Sequence, residues 1–118
     1  MNKAGVGLLA GSDVGEVGLV GGFSLHEELI SLQNAGLTPL EAIKTATINP
    51  AKYQNSAHKL GTIEKGKIAD LVLLNSNPLE DIHNTQEINS VFTNGQYLNR
   101  MKLDSLLIGV ENYVKNKD

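Results

Sequence analysis

The sequence predicts an α/β fold in which a buried strand precedes two helices, and antiparallel strands follow before a last helix. The run Val6–Ala10 is apolar throughout, which is typical of a strand that helices cover on both faces. Two capped helix patterns then occupy residues 24–53. Further along the chain, Asn94-Gly95 stands between two short β-prone runs and is a strong hairpin signal. These observations place helices and strands in one chain, as layered α/β domains require.

The first helix pattern runs from Ser24 to Gly36. Ser24 with Glu27 three residues later predicts a capping box, and Gly36 stands where a C-terminal cap is expected. Leucines recur at helical spacing between these ends and predict one buried stripe. The stripe consists of Leu25, Leu29 and Leu32.

The second helix pattern follows directly. Thr38 is the predicted N-cap, Pro39 takes the first helical position, and Glu41 completes a second capping box. Three residues lie on one face of this predicted helix: Leu40, Ile43 and Thr47. Asn49-Pro50 then restarts the chain in a short helical segment that ends near Tyr53.

After residue 56 the pattern becomes extended. Residues 62–63 and 68–74 predict two strands around a turn at residues 64–67. Asp70 lies inside the second of these runs, and we interpret its carboxylate as a structural acceptor for turn amides near Gly66. The chain ends in an amphipathic helix. Its apolar stripe consists of Leu103, Leu106, Leu107, Val110, Tyr113 and Val114.

Charge and composition exclude several kinds of partner. The 118 residues carry a formal net charge of −3, and scattered lysines and arginines argue against nucleic acid and an anionic membrane surface. No apolar run approaches the roughly 18 residues of a membrane span. The chain has no cysteine, so disulfides and thiolate metal sites are excluded. A reducing compartment fits this, and the cytoplasm is favoured, although a fragment would also lack any N-terminal targeting signal.

Five motifs stand in order along the chain and together resemble the metal-dependent amidohydrolase superfamily, in its imidazolonepropionase-like and prolidase-like branch. The resemblance covers about residues 5–107, nearly the whole chain. The motifs are Gly5–Asp13 (GVGLLAGSD), the helix pair with HEEL and AGLTPLEAI, Thr47–Ala51 (TINPA), Leu60–Val72 (LGTIEKGKIADLV) and Asn77–Ile82 (NPLEDI).

This resemblance implies the C-terminal part of a TIM-barrel enzyme and of its small β-sandwich. A complete barrel needs about 250 residues, more than the 118 present. The expected division is the last barrel strand with its helices at residues 1–56, the C-terminal strands of the sandwich at 57–100, and a C-terminal helix at 101–118.

Asp13 is the expected catalytic residue and metal ligand. It follows the predicted barrel strand, and barrel enzymes place their chemistry at the C-terminal ends of such strands. The resemblance implies that Asp13 helps to hold a divalent metal, with zinc as the expected ion, and takes a proton from the attacking water. The local sequence alone favours the alternative, in which Asp13 is a loop residue or a helix cap, and it is the resemblance that reverses this preference.

The other metal ligands that the resemblance implies are absent from this sequence. A hydrolytic zinc site needs at least three protein ligands, whereas the histidines His26, His58 and His83 are far apart and show no ligand spacing. We therefore expect no metal and no catalysis in the isolated chain, and we interpret His58 and His83 as exposed loop residues.

His26 is the candidate substrate-binding residue. It lies at the start of a helix just after the loop that follows Asp13, and the resemblance places that end at the mouth of the barrel. The alternative is a first-turn surface histidine beside Glu27 and Glu28.

Two functional hypotheses follow. The first is the C-terminal segment of a hydrolase that cleaves C–N bonds of small-molecule amides, either non-peptide or dipeptide-like. The second is a non-catalytic structural or assembly module derived from such an enzyme. Under either hypothesis, the unpaired Val6–Ala10 run and the exposed helix stripes predict self-association.

Overall fold

The computed structural model describes residues 5–13 and 21–116 as a mixed α/β structure. Helices precede a small antiparallel sheet, and a long helix ends the described chain. In chain order the elements are α1 (Ser24–Asn34), α2 (Pro39–Thr45), α3 (Ile48–Tyr53), β1 (Leu71–Leu74), a 3₁₀ helix (Ile82–Gln86), β2 (Ile88–Thr93), β3 (Gln96–Leu98) and α4 (Arg100–Lys115).

The segment of residues 5–13 is not a β-strand, so the predicted strand Val6–Ala10 is wrong for the described structure. Two hydrogen bonds hold it against the helices instead. The Ala10 N–H donates to the Thr45 carbonyl at 3.0 Å, and Asn49 Nδ2 donates to the Leu8 carbonyl at 2.9 Å. A parallel strand forms only beside a neighbouring strand of the same kind, and the described sheet contains only β1, β2 and β3.

Helix α1 begins at Ser24 without the predicted capping box. Phe23 is the N-cap and makes no side-chain cap bond. Ser24 Oγ lies 3.0 Å from Ser12 Oγ, so the serine hydroxyl joins α1 to the segment before it. This contact replaces the expected bond to the amide of Glu27, because Ser24 lies inside the first turn and not before it.

The predicted C-terminal cap of α1 is confirmed. Gly36 has a φ of +106°, a conformation that glycine adopts without steric cost. The amides of Gly36 and Leu37 donate to the carbonyls of Gln33 and Leu32 at 2.8 and 3.2 Å. This pair of bonds is the Schellman arrangement, which satisfies the last carbonyls of the helix and turns the chain towards α2.

The capping box of α2 is also confirmed, with the Glu41 amide donating to Thr38 Oγ1 and the Thr38 amide donating to the Glu41 carboxylate. The predicted face is only partly buried, because Ile43 packs against the core whereas Leu40 and Thr47 are exposed. Leu40 is 46% exposed, whereas Ala42 and Thr45 are the buried residues of the helix. Small side chains lie inward because α2 packs closely against its neighbours, and the Thr45 hydroxyl is satisfied by the Ala42 carbonyl at 2.6 Å.

The core of the described chain brings together residues that precede β1 and a residue that follows it. It consists of Leu29 from α1, Ala42 from α2 and Ile82 from the 3₁₀ helix, with Ile82 only 1% exposed. A polypeptide segment that lies beyond β1 therefore packs directly on the helices that follow residue 13. Burying an isoleucine of this kind contributes about 2 kcal/mol to folding.

The first predicted strand of the sheet is absent, whereas the predicted hairpin at its other edge is present. Residues 62–63 are not a strand, so the strand pair expected around residues 64–67 does not form. The predicted hairpin is confirmed, because β2 and β3 pair as antiparallel strands across Asn94-Gly95. Both turn residues have positive φ, 48° and 73°, as a type I′ turn requires.

Asp70 is structural, but its partners differ from those expected. Asp70 Oδ1 accepts hydrogen bonds from Thr93 Oγ1 at 3.1 Å and from the Asn94 amide at 3.2 Å, not from amides near Gly66. Because β1 and β2 are antiparallel neighbours, the start of β1 lies beside the hairpin turn. The carboxylate thus connects the first strand to that turn.

The predicted C-terminal helix is confirmed as α4, and within the described chain Leu103 is the one residue of its apolar stripe that is partly covered. Asn99 caps the helix, its side chain accepting a hydrogen bond from the Lys102 amide at 3.0 Å. No residue of α4 is buried. We call five of its exposed side chains the apolar face of α4. They are Leu106, Leu107, Val110, Tyr113 and Val114.

Candidate functional site

Asp13 ends the segment that leads into α1. It has a φ of +50°, a left-handed conformation that aspartate and asparagine tolerate better than most residues. Its neighbour Ser12 is bonded to Ser24 in the first turn of α1. The Asp13 side chain is exposed and makes no hydrogen bond or ion pair with another residue of the ranges 5–13 and 21–116. The segment is therefore anchored at Ser12, next to a carboxylate that no residue of the described ranges engages.

His26 lies in the same first turn of α1 and is half-buried. Its Nδ1 is 3.1 Å from Thr85 Oγ1 of the 3₁₀ helix. Burial lowers the pKa of His26, because the charged imidazolium loses more hydration than the neutral ring. The ring is thus not the freely solvated surface histidine of the alternative interpretation.

A groove of about 720 Å³ opens between the helices and β1. We call it the central groove. Apolar side chains form most of its wall, and the polar groups His26, Thr85 and Asp70 also line it. Representative apolar lining residues are Leu25, Leu29, Ile43, Pro50, Leu60 and Ile68. Asp13 is not among the lining residues, so the structure brings His26 and Thr85 into one cavity but does not bring Asp13 there.

The remaining histidines lie outside this groove. His58 and His83 are exposed, as predicted, but His83 lies in the 3₁₀ helix and not in a loop. His83 Nδ1 is 2.7 Å from Asp81 Oδ1, and the His83 amide also donates to that carboxylate. The backbone hydrogen bond from His83 lowers the pKa of Asp81 most, and the side-chain hydrogen bond lowers it further. The pair is a local cap of the 3₁₀ helix.

The described residues do not form a metal site by themselves. Within residues 5–13 and 21–116, three histidine, aspartate or glutamate side chains never come together as a metal ion would require. Asp13 offers a single exposed carboxylate, which suits one ligand position of a hard or borderline divalent ion. Because one carboxylate is not a complete ligand set, no catalytic step through a metal follows from these residues.

Thr85 is the functional-site residue that sequence reasoning missed. It lies 59 positions after His26, in a stretch for which the sequence predicts no element, and nothing in its local pattern points to a histidine. Only the packing of Ile82 into the helix core places the 3₁₀ helix beside α1. The contact between Ser12 and Ser24 was likewise hidden, because Ser24 was assigned to a capping box.

Comparison with known proteins identifies the family. The amidohydrolase family model matches residues 1–98. Ochratoxinase from Aspergillus niger is 40% identical over 90 residues, which are 75% of this chain and 18% of that protein. Imidazolonepropionase from Thermoplasma acidophilum is 40% identical over 60 residues, 51% of this chain and 14% of that protein. The chain therefore belongs to the amidohydrolase family, as its motifs led us to expect.

A solved structure supports the same relationship. A candidate prolidase from Bifidobacterium longum matches 92% of this chain and 28% of its own chain, with 30% sequence identity and a TM-score of 0.76. The chain thus spans less than a third of this relative and about a fifth or less of the two curated ones. Within the described ranges, no helix has the length and apolar character to cross a membrane.

Proposed function

We propose that this chain is the C-terminal part of a hydrolase that cleaves C–N bonds of small amides, and that Asp13 is its catalytic carboxylate. The observation that carries the proposal is the position of Asp13. It ends an anchored segment within the part of the chain that matches the amidohydrolase family, and its carboxylate is exposed. We further propose that residues 1–56 end the barrel, that 57–100 belong to the sandwich and that 101–118 are the C-terminal segment that contains α4.

In this proposal Asp13 accepts a proton from the attacking water and returns it to the leaving amine. A carboxylate suits this role because it can hold the proton between the two steps of amide cleavage. Family membership also leads us to propose zinc as the cofactor of the complete enzyme, where it would lower the pKa of bound water. Asp13 would supply one ligand, and the others would come from outside this chain.

We propose that His26 contacts the substrate. His26 lies two residues after Ser24, and the Ser24 hydroxyl is hydrogen-bonded to Ser12, which precedes Asp13. Asp13 and His26 are therefore each within two residues of the Ser12–Ser24 contact. Burial lowers the pKa of His26 and so favours the neutral ring, in which one ring nitrogen can accept a hydrogen bond.

The substrate class rests on the relatives. The names of the most similar proteins include an ochratoxinase and an imidazolonepropionase, and the structural relative is a candidate prolidase. We infer a small amide, either dipeptide-like or cyclic. A cytoplasmic location stays a prediction from the cysteine-free sequence.

The direct test compares the complete gene product with the isolated 118 residues. Both are assayed on Xaa-Pro dipeptides, N-acyl amino acids and cyclic amides, and bound zinc is measured by mass spectrometry. We expect hydrolysis and bound zinc in the complete product and neither in the isolated chain, because one carboxylate cannot form the site. Hydrolysis by the isolated chain, or a complete product inactive on the whole panel, would contradict the proposal.

A second candidate function is assembly without catalysis, which the apolar face of α4 favours. Its five side chains are each at least half exposed, and contiguous apolar surface of this kind commonly marks an interaction site. In this case the isolated chain would recruit copies of itself.

We predict that the isolated chain self-associates through this face. In sedimentation velocity, Leu107→Glu is expected to shift the population towards monomer, because a charge would have to be desolvated in the contact. Ser105→Glu is the matched control, since it adds the same charge at an exposed polar position of the same helix. A chain that is monomeric at all concentrations tested would rule out this self-association.

A further inference from the structure

We propose that Thr85 is a positioning residue that fixes the ring tautomer of His26, with the proton on Nδ1 and the lone pair on Nε2. The inference rests on the proposed function only where it assigns His26 a contact with substrate. The tautomer itself follows from hydrogen-bond chemistry at two contacts, and neither contact involves Asp13.

The first contact determines where the Thr85 hydroxyl proton goes. Thr85 is 7% exposed, and its Oγ1 lies 2.8 Å from the Ile82 carbonyl, to which it donates. A hydroxyl has one proton and can donate it once. A carbonyl oxygen only accepts hydrogen bonds, so the Thr85 hydroxyl proton is used in the bond to Ile82. Towards any other partner, Thr85 Oγ1 can only accept a hydrogen bond.

The second contact then determines the state of the imidazole. His26 Nδ1 lies 3.1 Å from the same Oγ1. Because that oxygen can only accept from this side, Nδ1 must carry a proton to make the hydrogen bond. Burial lowers the pKa of His26 and so disfavours a second proton. The neutral ring therefore has its lone pair on Nε2.

The consequence is an oriented acceptor in the central groove. His26 and Thr85 both line that groove, and Nε2 makes no hydrogen bond with any residue of the described ranges. In a mostly apolar wall, such an acceptor favours a partner with an N–H group, as a primary or secondary amide or an amine product has. Thr85 of the 3₁₀ helix, 59 positions further along the chain, thereby determines which ring nitrogen of His26 donates and which accepts a hydrogen bond.

The tautomer can be measured without any assay of activity. We would label the histidines of the complete gene product with ¹⁵N and record two-bond ¹H–¹⁵N spectra, assigning His26 by its loss in His26→Gln. The expected result is a pyrrole-type Nδ1 and a pyridine-type Nε2. The opposite assignment in the unmodified protein would overturn the proposal, whether or not any variant folds.

Variants test the role of the hydroxyl. Thr85→Val keeps the shape of the side chain but removes the acceptor, so the Nδ1–H preference should be lost, whereas Thr85→Ser should retain it. Thr47→Val is the matched control, because Thr47 lines the same groove and donates to a backbone carbonyl, that of Ile43. A tautomer unchanged by Thr85→Val would overturn the proposal.

Kinetics separate this inference from the proposed substrate contact. If His26 Nε2 binds substrate, Thr85→Val should lower kcat/KM about tenfold, the effect of losing one hydrogen bond, and Thr85→Ser should restore it. A changed tautomer with unchanged kcat/KM would contradict the substrate contact of His26 and support the positioning role of Thr85.

Discussion

Asp13→Asn is expected to lower kcat of the complete enzyme by at least about a hundredfold, the effect of removing a general base. KM should change little if the carboxylate acts on the water and not on the bound substrate. Asparagine is the appropriate replacement, because it keeps the shape of the side chain and tolerates the positive φ of residue 13. Alanine at this position would add backbone strain to the loss of the carboxylate.

The control for this variant is Asp104→Asn. Asp104 is an exposed carboxylate on α4 whose ion pair with Arg100 spans 2.8 Å, and a surface pair contributes at most about 1 kcal/mol. The control should keep full activity. In the isolated chain, where we expect no bound metal, Asp13→Asn should unfold at the same denaturant concentration as the parent, because the Asp13 side chain makes no hydrogen bond with any described residue. Full activity in Asp13→Asn would contradict the assignment.

Gly61→Ala is expected to destabilise the chain by about 3 kcal/mol, from overpacking and backbone strain together. Gly61 has a φ of +88°, and an added Cβ would lie 2.9 Å from Ile48 Cα and 3.0 Å from Ala51 Cβ. Both neighbours belong to α3, and one contact is with backbone, so the clash cannot be relieved by a rotamer change. The measurement is chemical denaturation of parent and variant under identical conditions.

Gly66→Ala separates strain from clash. Gly66 has nearly the same φ, +90°, but an added Cβ would meet no atom within 4 Å. Its cost should be limited to the backbone strain, about 1 kcal/mol. Equal destabilisation by the two substitutions would show that the close approach of Gly61 to α3 contributes nothing, contrary to the structure.

The features that the sequence predicted correctly are those that local chemistry determines. The Thr38 capping box, the C-terminal cap at Gly36 and the Asn94-Gly95 hairpin each depend on a few adjacent residues. Their side chains and allowed φ values act over one turn, so a short pattern is sufficient to identify them.

The incorrect predictions concern features that distant residues determine. The Val6–Ala10 run has strand composition, but a strand needs a neighbour to pair with. Leu40 fits a helical stripe, yet it is 46% exposed, whereas Ala42 of the same helix is fully buried. Hydrophobic periodicity shows which face is apolar but not how near another element approaches it, and that distance decides whether leucine or alanine lies inside.

The candidate site likewise combines residues that local motifs identify with contacts that depend on distant residues. Asp13 and His26 could be selected from their motifs, but Thr85 could not, because its hydrogen bond to His26 depends on the docking of Ile82 between α1 and α2. Likewise, the link from Ser12 to Ser24 crosses residues 14–20, so no local pattern announces it. Contacts of this kind become visible only when the packed structure is known.

The most direct test of the central claim is a crystal structure of the complete gene product with a phosphonate analogue of an amide substrate. A phosphonate resembles the tetrahedral state of amide hydrolysis, so it should occupy the reacting centre. We expect the Asp13 carboxylate to lie within hydrogen-bond distance, about 3 Å, of the phosphonate oxygens or of a water bound to them. An analogue bound elsewhere, with Asp13 exposed to bulk solvent, would contradict it.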